Sequence, residues 1–392
     1  MKSRHIIFLV TTAWFTQSLA VTLPTQQIIS YECAQCENLS HDDLNSSWAT
    51  DDEPLNDDVM HQQTSRQYQI KATAQQLNAG IAIHTQAPGA IIHITKAQSD
   101  SKTNPDFFIK TRQAKLSMLE ASSLFAQKDA LKDTAFAGQL VALQLKPELG
   151  SGKFILGSNT HLTGDDGQFI IHVYDKYAPT YLSVETDKGR YHYGDKLKVT
   201  IRLSDDELNY PIDEINASLI NPNGEITNLT LEQVSDNLYQ TQIDLQSDKN
   251  SQGENWYIAV ETTSLVEEET IIRQAHTAFS YVIPSAAISK IKPIDNKPLA
   301  FSAKINVATG SRYALEAVLF GSDSEGKLHP INAVQSASWL APGKHVINFS
   351  FDSQQKTNYK APYYLGYLHL IDFGQLKPVY EYNTPIELTT LG

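Results

Sequence analysis

The chain has 392 residues, with 31 Lys and Arg against 44 Asp and Glu and a formal net charge of −13. That length exceeds what a single core usually holds and predicts two or three domains. The acidity repels phosphate backbones and anionic membrane surfaces, which excludes nucleic acid as a partner class.

The first twenty residues, MKSRHIIFLVTTAWFTQSLA, set Lys2 and Arg4 before an apolar run from Ile6 to Phe15 and end on Ser18-Leu19-Ala20. This is the pattern of a cleavable secretory signal peptide over residues 1–20. The run is shorter than the roughly 20 residues a membrane span needs, and no later segment of the mature chain is apolar enough to be transmembrane. Val21, not Cys, follows the expected cut, so no lipid anchor is predicted. The expected product is exported, periplasmic or extracellular. Without Lys2 and Arg4 it keeps 29 basic against 44 acidic residues, a net charge of −15.

From Val21 to Ser65 there is no Lys or Arg but there are nine carboxylates. Such a stretch repels itself and has little to bury, so residues 21–65 read as a flexible acidic segment. It contains the only two cysteines, Cys33 and Cys36 in ECAQCE. A redox pair would sit at the start of a helix after a strand, whereas the neighbouring Glu32 and Glu37 raise a thiol pKa. Haem attachment would need a His where Glu37 stands. In an exported chain the pair reads as a local disulfide.

Residues 66–176 read as an N-terminal domain of mixed α+β type. Two apolar stretches, GIAIHT and AIIHITKA, flank a turn at Pro88-Gly89 and predict a hairpin. Leu116, Leu119, Leu124 and Phe125 recur at near-helical spacing, which predicts one amphipathic helix over 112–133. A second hairpin is predicted about Asp166-Gly167.

Residues 177–285 supply seven strand candidates at regular spacing. The clearest is KLKVTIRL, where Leu197, Val199, Ile201 and Leu203 alternate with polar residues. Seven short strands in about 105 residues fit an immunoglobulin-like β-sandwich. After a linker, KIKPIDNKP, residues 286–392 give five more strands and a second, C-terminal β-sandwich. The fold class is thus mainly β.

The predicted hairpins would set His84 opposite His93 and His161 opposite His172, close enough for paired imidazoles to share a divalent metal. A catalytic zinc wants three protein ligands, and neither hairpin supplies an obvious third. The bland alternative is four surface histidines and no cofactor. Asp205-Asp206-Glu207 and Asp323-Ser324-Glu325-Gly326 resemble fragments of calcium loops but lack the full spacing. Tyr363, Leu365 and Tyr367 on one strand face would suit either packing or a sugar ring. No local signature of a serine hydrolase, zincin, phosphate loop or dinucleotide site occurs, and no catalytic residue is assigned.

GIAIHTQAPGAIIHI, YHYGDKLKVTIRL and PYYLGYLHLIDFG, the last preceded by WLAPGKHVINFSF, resemble segments of domain-of-unknown-function family 4785, exported proteins of Gram-negative bacteria. The resemblance implies an N-terminal domain, an immunoglobulin-like middle domain and a C-terminal β domain. It implies no reaction. The sequence therefore predicts an exported, non-enzymatic multidomain protein that binds an extracytoplasmic protein or glycan partner. The alternative is a secreted metal-dependent hydrolase built on His84, His93, His161 and His172.

Overall fold

The computed structural model describes residues 22–50, 61–97, 105–132, 138–164, 167–247, 250, 255–295, 297, 299–352 and 359–391. The expected signal peptide and Asp166 lie outside them. The chain is mostly β, multidomain and built of antiparallel sheets. It forms two compact units. One takes the described residues within Met1–Asp57, Asp248–Gly253 and Val282–Gly392, the other those within Asp58–Ser247 and Glu254–Tyr281.

In the second unit the alternation at Leu197, Val199, Ile201 and Leu203 is a strand, Lys196–Ser204, whose four apolar side chains are each at most 1% exposed. It lies in a five-stranded sheet, in the order Glu232–Ser235, Leu238–Asp244, Lys196–Ser204, Tyr181–Thr186, Gln62–Ser65. A second five-stranded sheet runs Arg190–His192, Glu269–Val282, Trp256–Val266, Glu214–Ile220, Ile226–Asn228. Its aromatic centre is Trp256 against Tyr281 and Phe279, with Tyr191 edge-on to Phe279.

The N-terminal domain of this unit carries two more sheets. One orders Ile81–Thr85, Gly152–Ser158, Phe107–Lys110 and Lys115–Ser117; the other orders Gln67–Thr73, Gln168–Tyr174, Ile91–Ala97, Gln139–Leu145 and Ser122–Gln127. They share one core, in which Phe107 meets Phe169 edge-on. The Tyr68 hydroxyl also joins them, accepting from the His84 N–H at 2.8 Å and donating to the His84 carbonyl at 2.9 Å. The α content is short. Ala74–Ala79 is opened by a Thr73/Gln76 capping box and closed by Gly80 at φ +89°.

The long helix expected over 112–133 is replaced by Lys115–Ser117, a single turn at Met118–Ala121, the strand Ser122–Gln127 and another turn at Lys128–Leu131. Met118 and Ala121 are buried while Leu119 and Leu124 are each 67% exposed, so the leucine spacing did not mark the buried face. Ser122–Gln127 pairs with Gln139–Leu145, and those ladder bonds outweigh a weak helical preference.

The first unit pairs a sheet ordered Leu44–Ala49, Leu328–Leu340, Ser311–Ser322, Lys360–Asp372, Lys377–Tyr382 with a three-stranded sheet of Ala286–Pro293, Ala300–Val307 and Gly343–Ser350. Both contribute to one apolar core, with Phe301, Phe349 and Phe351 mutually packed. The linker reading is corrected here, because Lys290–Pro293 belongs to the paired strand Ala286–Pro293, with Ile291 inward and Lys290 and Lys292 exposed. The strand Leu328–Leu340 shows no two-residue period in its sequence, because small and polar residues fill it.

The flexible reading of 21–65 also fails for its described residues. Leu44–Ala49 is an edge strand paired from Leu44↔Ala337 to Ala49↔Asn332, and Tyr31 and Leu23 are buried. The cation this stretch lacks is Arg312, whose guanidinium donates to the carbonyls of Ser40 and Asp42 at 2.6 Å each. Gln62–Ser65 pairs with Tyr181–Thr186. An edge strand is held by backbone bonds and buries few side chains, so acidity and polarity did not prevent it.

Candidate functional site

The structure separates the predicted histidine pairs. Ile81–Thr85 pairs with Gly152–Ser158, which sets His84 opposite Lys153, and lies in a different sheet from Ile91–Ala97. Pro88-Gly89 is therefore a corner between sheets and not a hairpin. L-Pro resists a tight primed turn, and the Asp175 carboxylate holds the corner by accepting the N–H groups of Gln86 at 2.7 Å and Ala87 at 3.3 Å. His161 is exposed in the segment after Gly152–Ser158, which again is not in the sheet of Gln168–Tyr174.

What the fold does bring together is His93 and His172, directly opposed on neighbouring strands with ring centroids 5.9 Å apart. Burial pushes both imidazoles below the ordinary histidine pKa, and at His172 the neighbouring His93 adds to it. His172 Nε2 bonds Gln67 Oε1 at 2.9 Å, and His93 Nδ1 lies 3.4 Å from Gln139 Nε2. Both rings are thus engaged by amide side chains. Among the described residues no group of three or more His, Cys, Asp or Glu is placed to hold a metal ion.

The carboxylate clusters close turns. Asp205 Oδ1 accepts the N–H groups of Glu207 and Leu208, and Asp323 accepts those of Glu325 and Lys327 with His329 on its other oxygen. The expected aromatic face is split: Leu365 is fully buried in the core with Tyr363 packed against it, while a bulge at Tyr367, φ +50°, leaves that ring half-buried outside the core. Cys33 and Cys36 form a disulfide.

Sequence reading missed the charge at the junction of the N-terminal domain and the sandwich. Arg273, 1% exposed, reaches Asp175, 0% exposed, at 3.3 Å. Its Nη2 also donates to Gln86 Oε1 at 2.6 Å, Nε to the Thr180 carbonyl at 3.0 Å and Nη1 to its own neighbour Ile272 at 2.8 Å. Burial raises the Asp175 pKa against the pull of Gln86 and Arg273. Arg273 is one polar residue inside an apolar strand pattern, and that was its only signal.

Beside this junction lies an open cleft of about 1060 Å³. The N-terminal domain contributes His84, Thr85, Arg112, Glu148 and Lys153, and the hairpin between Trp256–Val266 and Glu269–Val282 contributes Glu267, Glu268 and Glu269. Arg112, Lys153 and the three hairpin carboxylates are all exposed. Thr85, buried at 4%, has a hydroxyl with no hydrogen-bond partner among the described residues. Burial, then the charge of Lys153, lowers the His84 pKa, leaving a neutral ring in the cleft. The arrangement offers fixed charges of both signs and one neutral imidazole, which suits recognition of a polar chain.

Comparison with known proteins follows this architecture. Residues 35–175, 178–282 and 285–389 match the N-terminal, central and C-terminal domain models of a domain of unknown function, DUF4785. A crystal structure of a DUF4785 family protein from Legionella pneumophila subsp. pneumophila str. Philadelphia 1 is 41% identical, with a TM-score of 0.80 over 95% of this chain and 100% of that one. Native alpha-2-macroglobulin of E. coli is 14% identical, with a TM-score of 0.29 over 77% of this chain and 20% of that one. The adhesin domain of Epf from Streptococcus pyogenes is 14% identical, with a TM-score of 0.17 over 55% of this chain and 76% of that one. At such scores neither of these two bears on what the chain does. None of the curated proteins compared matches it.

Proposed function

This chain belongs to the DUF4785 family, and from its own residues we propose that it is an exported binding protein whose N-terminal domain and sandwich together receive a polar segment of an extracytoplasmic protein partner. The observation that carries this reading is the cleft, with Arg112 and Lys153 on one domain and Glu267, Glu268 and Glu269 on the other. Separated charges of opposite sign select an oriented, doubly charged chain, and a protein segment offers that where a neutral glycan does not. Its volume sits at the upper end of ligand clefts, and its polar lining favours a reversible contact. Export rests on the leader at residues 1–20.

A photo-crosslinking residue placed at Glu268, with a control at Lys198 on the exposed face of the sandwich, tests the reading in an exporting cell. A discrete adduct at Glu268 that is lost on Lys153→Glu supports it. Identical adducts at both positions, or a glycan and no protein at Glu268, overturn it.

A further inference from the structure

A different part of the molecule carries chemistry beyond that binding role. In the first unit the Cys-Ala-Gln-Cys loop rests on the ends of Ser311–Ser322 and Lys360–Asp372, where Trp339 Nε1 donates to the Cys36 carbonyl at 3.1 Å and Gln35 Nε2 to the Gly374 carbonyl at 3.2 Å. Cys33 keeps part of its surface in solvent, while Cys36 is 1% exposed. A Cβ at Gly374 would collide with Tyr31 Oη and with both sulfurs, so that backbone is pressed against the disulfide.

Behind Cys36 lies Asp372, 0% exposed. Among the described residues its donors are all uncharged: the hydroxyls of Ser311 at 2.6 Å, Ser285 at 2.6 Å and Tyr31 at 2.9 Å, the Gly374 N–H at 2.8 Å and the Gln375 side-chain amide at 3.2 Å. Cys36 Sγ is 3.3 Å from Ser311 Oγ and 3.7 Å from Tyr31 Oη. Both hydroxyls have given their hydrogens to Asp372, so toward Cys36 they present only lone pairs. A disulfide sulfur has no hydrogen to offer them. A Cys36 thiol does, and it would complete the chain S–H, Ser311 O–H, Asp372 carboxylate. The pocket is thus matched to the reduced state, although the pair is oxidised in this structure.

We propose that Cys33 and Cys36 form a thiol–disulfide exchange site, with Cys33 as the attacking sulfur, Cys36 as the resolving one and Asp372, through Ser311, as the acceptor of its proton. In the reduced chain the Cys33 thiolate attacks a substrate disulfide, forming a mixed disulfide and expelling one substrate thiolate, which takes a proton from water. Cys36 then passes its proton through Ser311 Oγ to Asp372. The Cys36 thiolate attacks Cys33 Sγ, breaks the mixed disulfide and expels the second substrate thiolate, which is also protonated. Two electrons move to the substrate, and the chain is left with the bond seen here. An external dithiol reductant returns it to the start. The attacking species is the thiolate, so the first step quickens as pH rises.

The test uses the reduced full mature chain and the small aromatic disulfide 5,5′-dithiobis(2-nitrobenzoate). The wild type is expected to release two coloured thiolates per chain and reclose, the second release being independent of probe concentration. Cys36→Ala is expected to release one and retain the mixed adduct. Ser311→Ala is expected to leave the first release unchanged and slow the second about a hundredfold, the low end of what a positioned base contributes. Asp372→Asn should do the same, and Ser311→Ala stands alone if that variant does not fold. A Ser311→Ala chain that recloses as fast as wild type, or a native chain that recloses no faster than the same chain unfolded in urea, overturns the proposal and leaves a structural disulfide.

Discussion

Asp175 and Asp372 are both fully buried, one in each unit, yet they are satisfied by opposite means. Asp175 accepts two backbone N–H groups and meets a guanidinium 98 residues away in sequence. Asp372 is held by three hydroxyls, one amide side chain and one backbone N–H, with no ion pair among the described residues. The cation makes the first a clamp, because neither partner can leave without stranding a charge. The neutral shell of the second holds its carboxylate by several smaller contacts, each replaceable singly.

The largest effect expected is at the neutral shell. Asp372→Ala removes the acceptor of the Ser311, Ser285 and Tyr31 hydroxyls, each worth about 1–3 kcal/mol when left buried and unpaired, a sum comparable to the stability of a whole domain. The first unit should fail to fold, read as loss of its share of the urea transition. Asp175→Ala should cost about 3–5 kcal/mol, chiefly because Arg273 is left uncompensated. The two sites then part company. Asp175→Leu with Arg273→Met should recover most of that loss, since apolar pairs replace buried ion pairs at little cost, whereas no single second substitution rescues Asp372→Ala. A rescue at Asp372, or none at Asp175, would break the comparison.

Next in size is Tyr68→Phe, expected to cost about 1–3 kcal/mol by leaving the His84 N–H and carbonyl unpaired between two sheets. Urea midpoints compared at constant slope check it. This contact also shows what the sequence made legible and what it did not. The strand Lys196–Ser204 was readable from its two-residue period, because each inward side chain is apolar and each outward one polar. The register of Ile81–Thr85 was not. Its neighbour in sequence, Ile91–Ala97, looked like its partner, and only the tertiary bonds from Tyr68 and Asp175 choose the other sheet. For the same reason His93 was legible as one of a pair but was given the wrong mate. Cys33 and Cys36 announced a disulfide, while Ser311 and Asp372, more than 270 residues away, gave no local hint of what lies behind it.

The two units should also differ with pH. Burial lowers the pKa values of His84, His93 and His172, all in the second unit. A histidine whose folded pKa lies below its unfolded one binds fewer protons when folded, so its contribution is intact above the ordinary histidine range and is lost as pH falls below it. The stability of the second unit should therefore fall as pH drops from about 7.5 to about 5.5, the window in which unperturbed histidines titrate. His93→Gln with His172→Gln should flatten that dependence. An equal acid loss in the double variant would show that other groups carry it.

The smallest effect separates stability from binding within the second unit. Glu267 sits at φ +54° at the tip of the hairpin that forms one side of the cleft, a conformation that costs an L-residue roughly 1–2 kcal/mol. Glycine adopts it freely but loses more entropy on folding, so Glu267→Gly should raise stability by only a few tenths of a kcal/mol. The same change removes one of three hairpin carboxylates and should weaken capture of the crosslinked partner at Glu268. If the hairpin is only a turn, the variant gains stability and nothing else moves. If it is half of a recognition surface, a more stable protein binds less well, and no argument from folding predicts that pair of results.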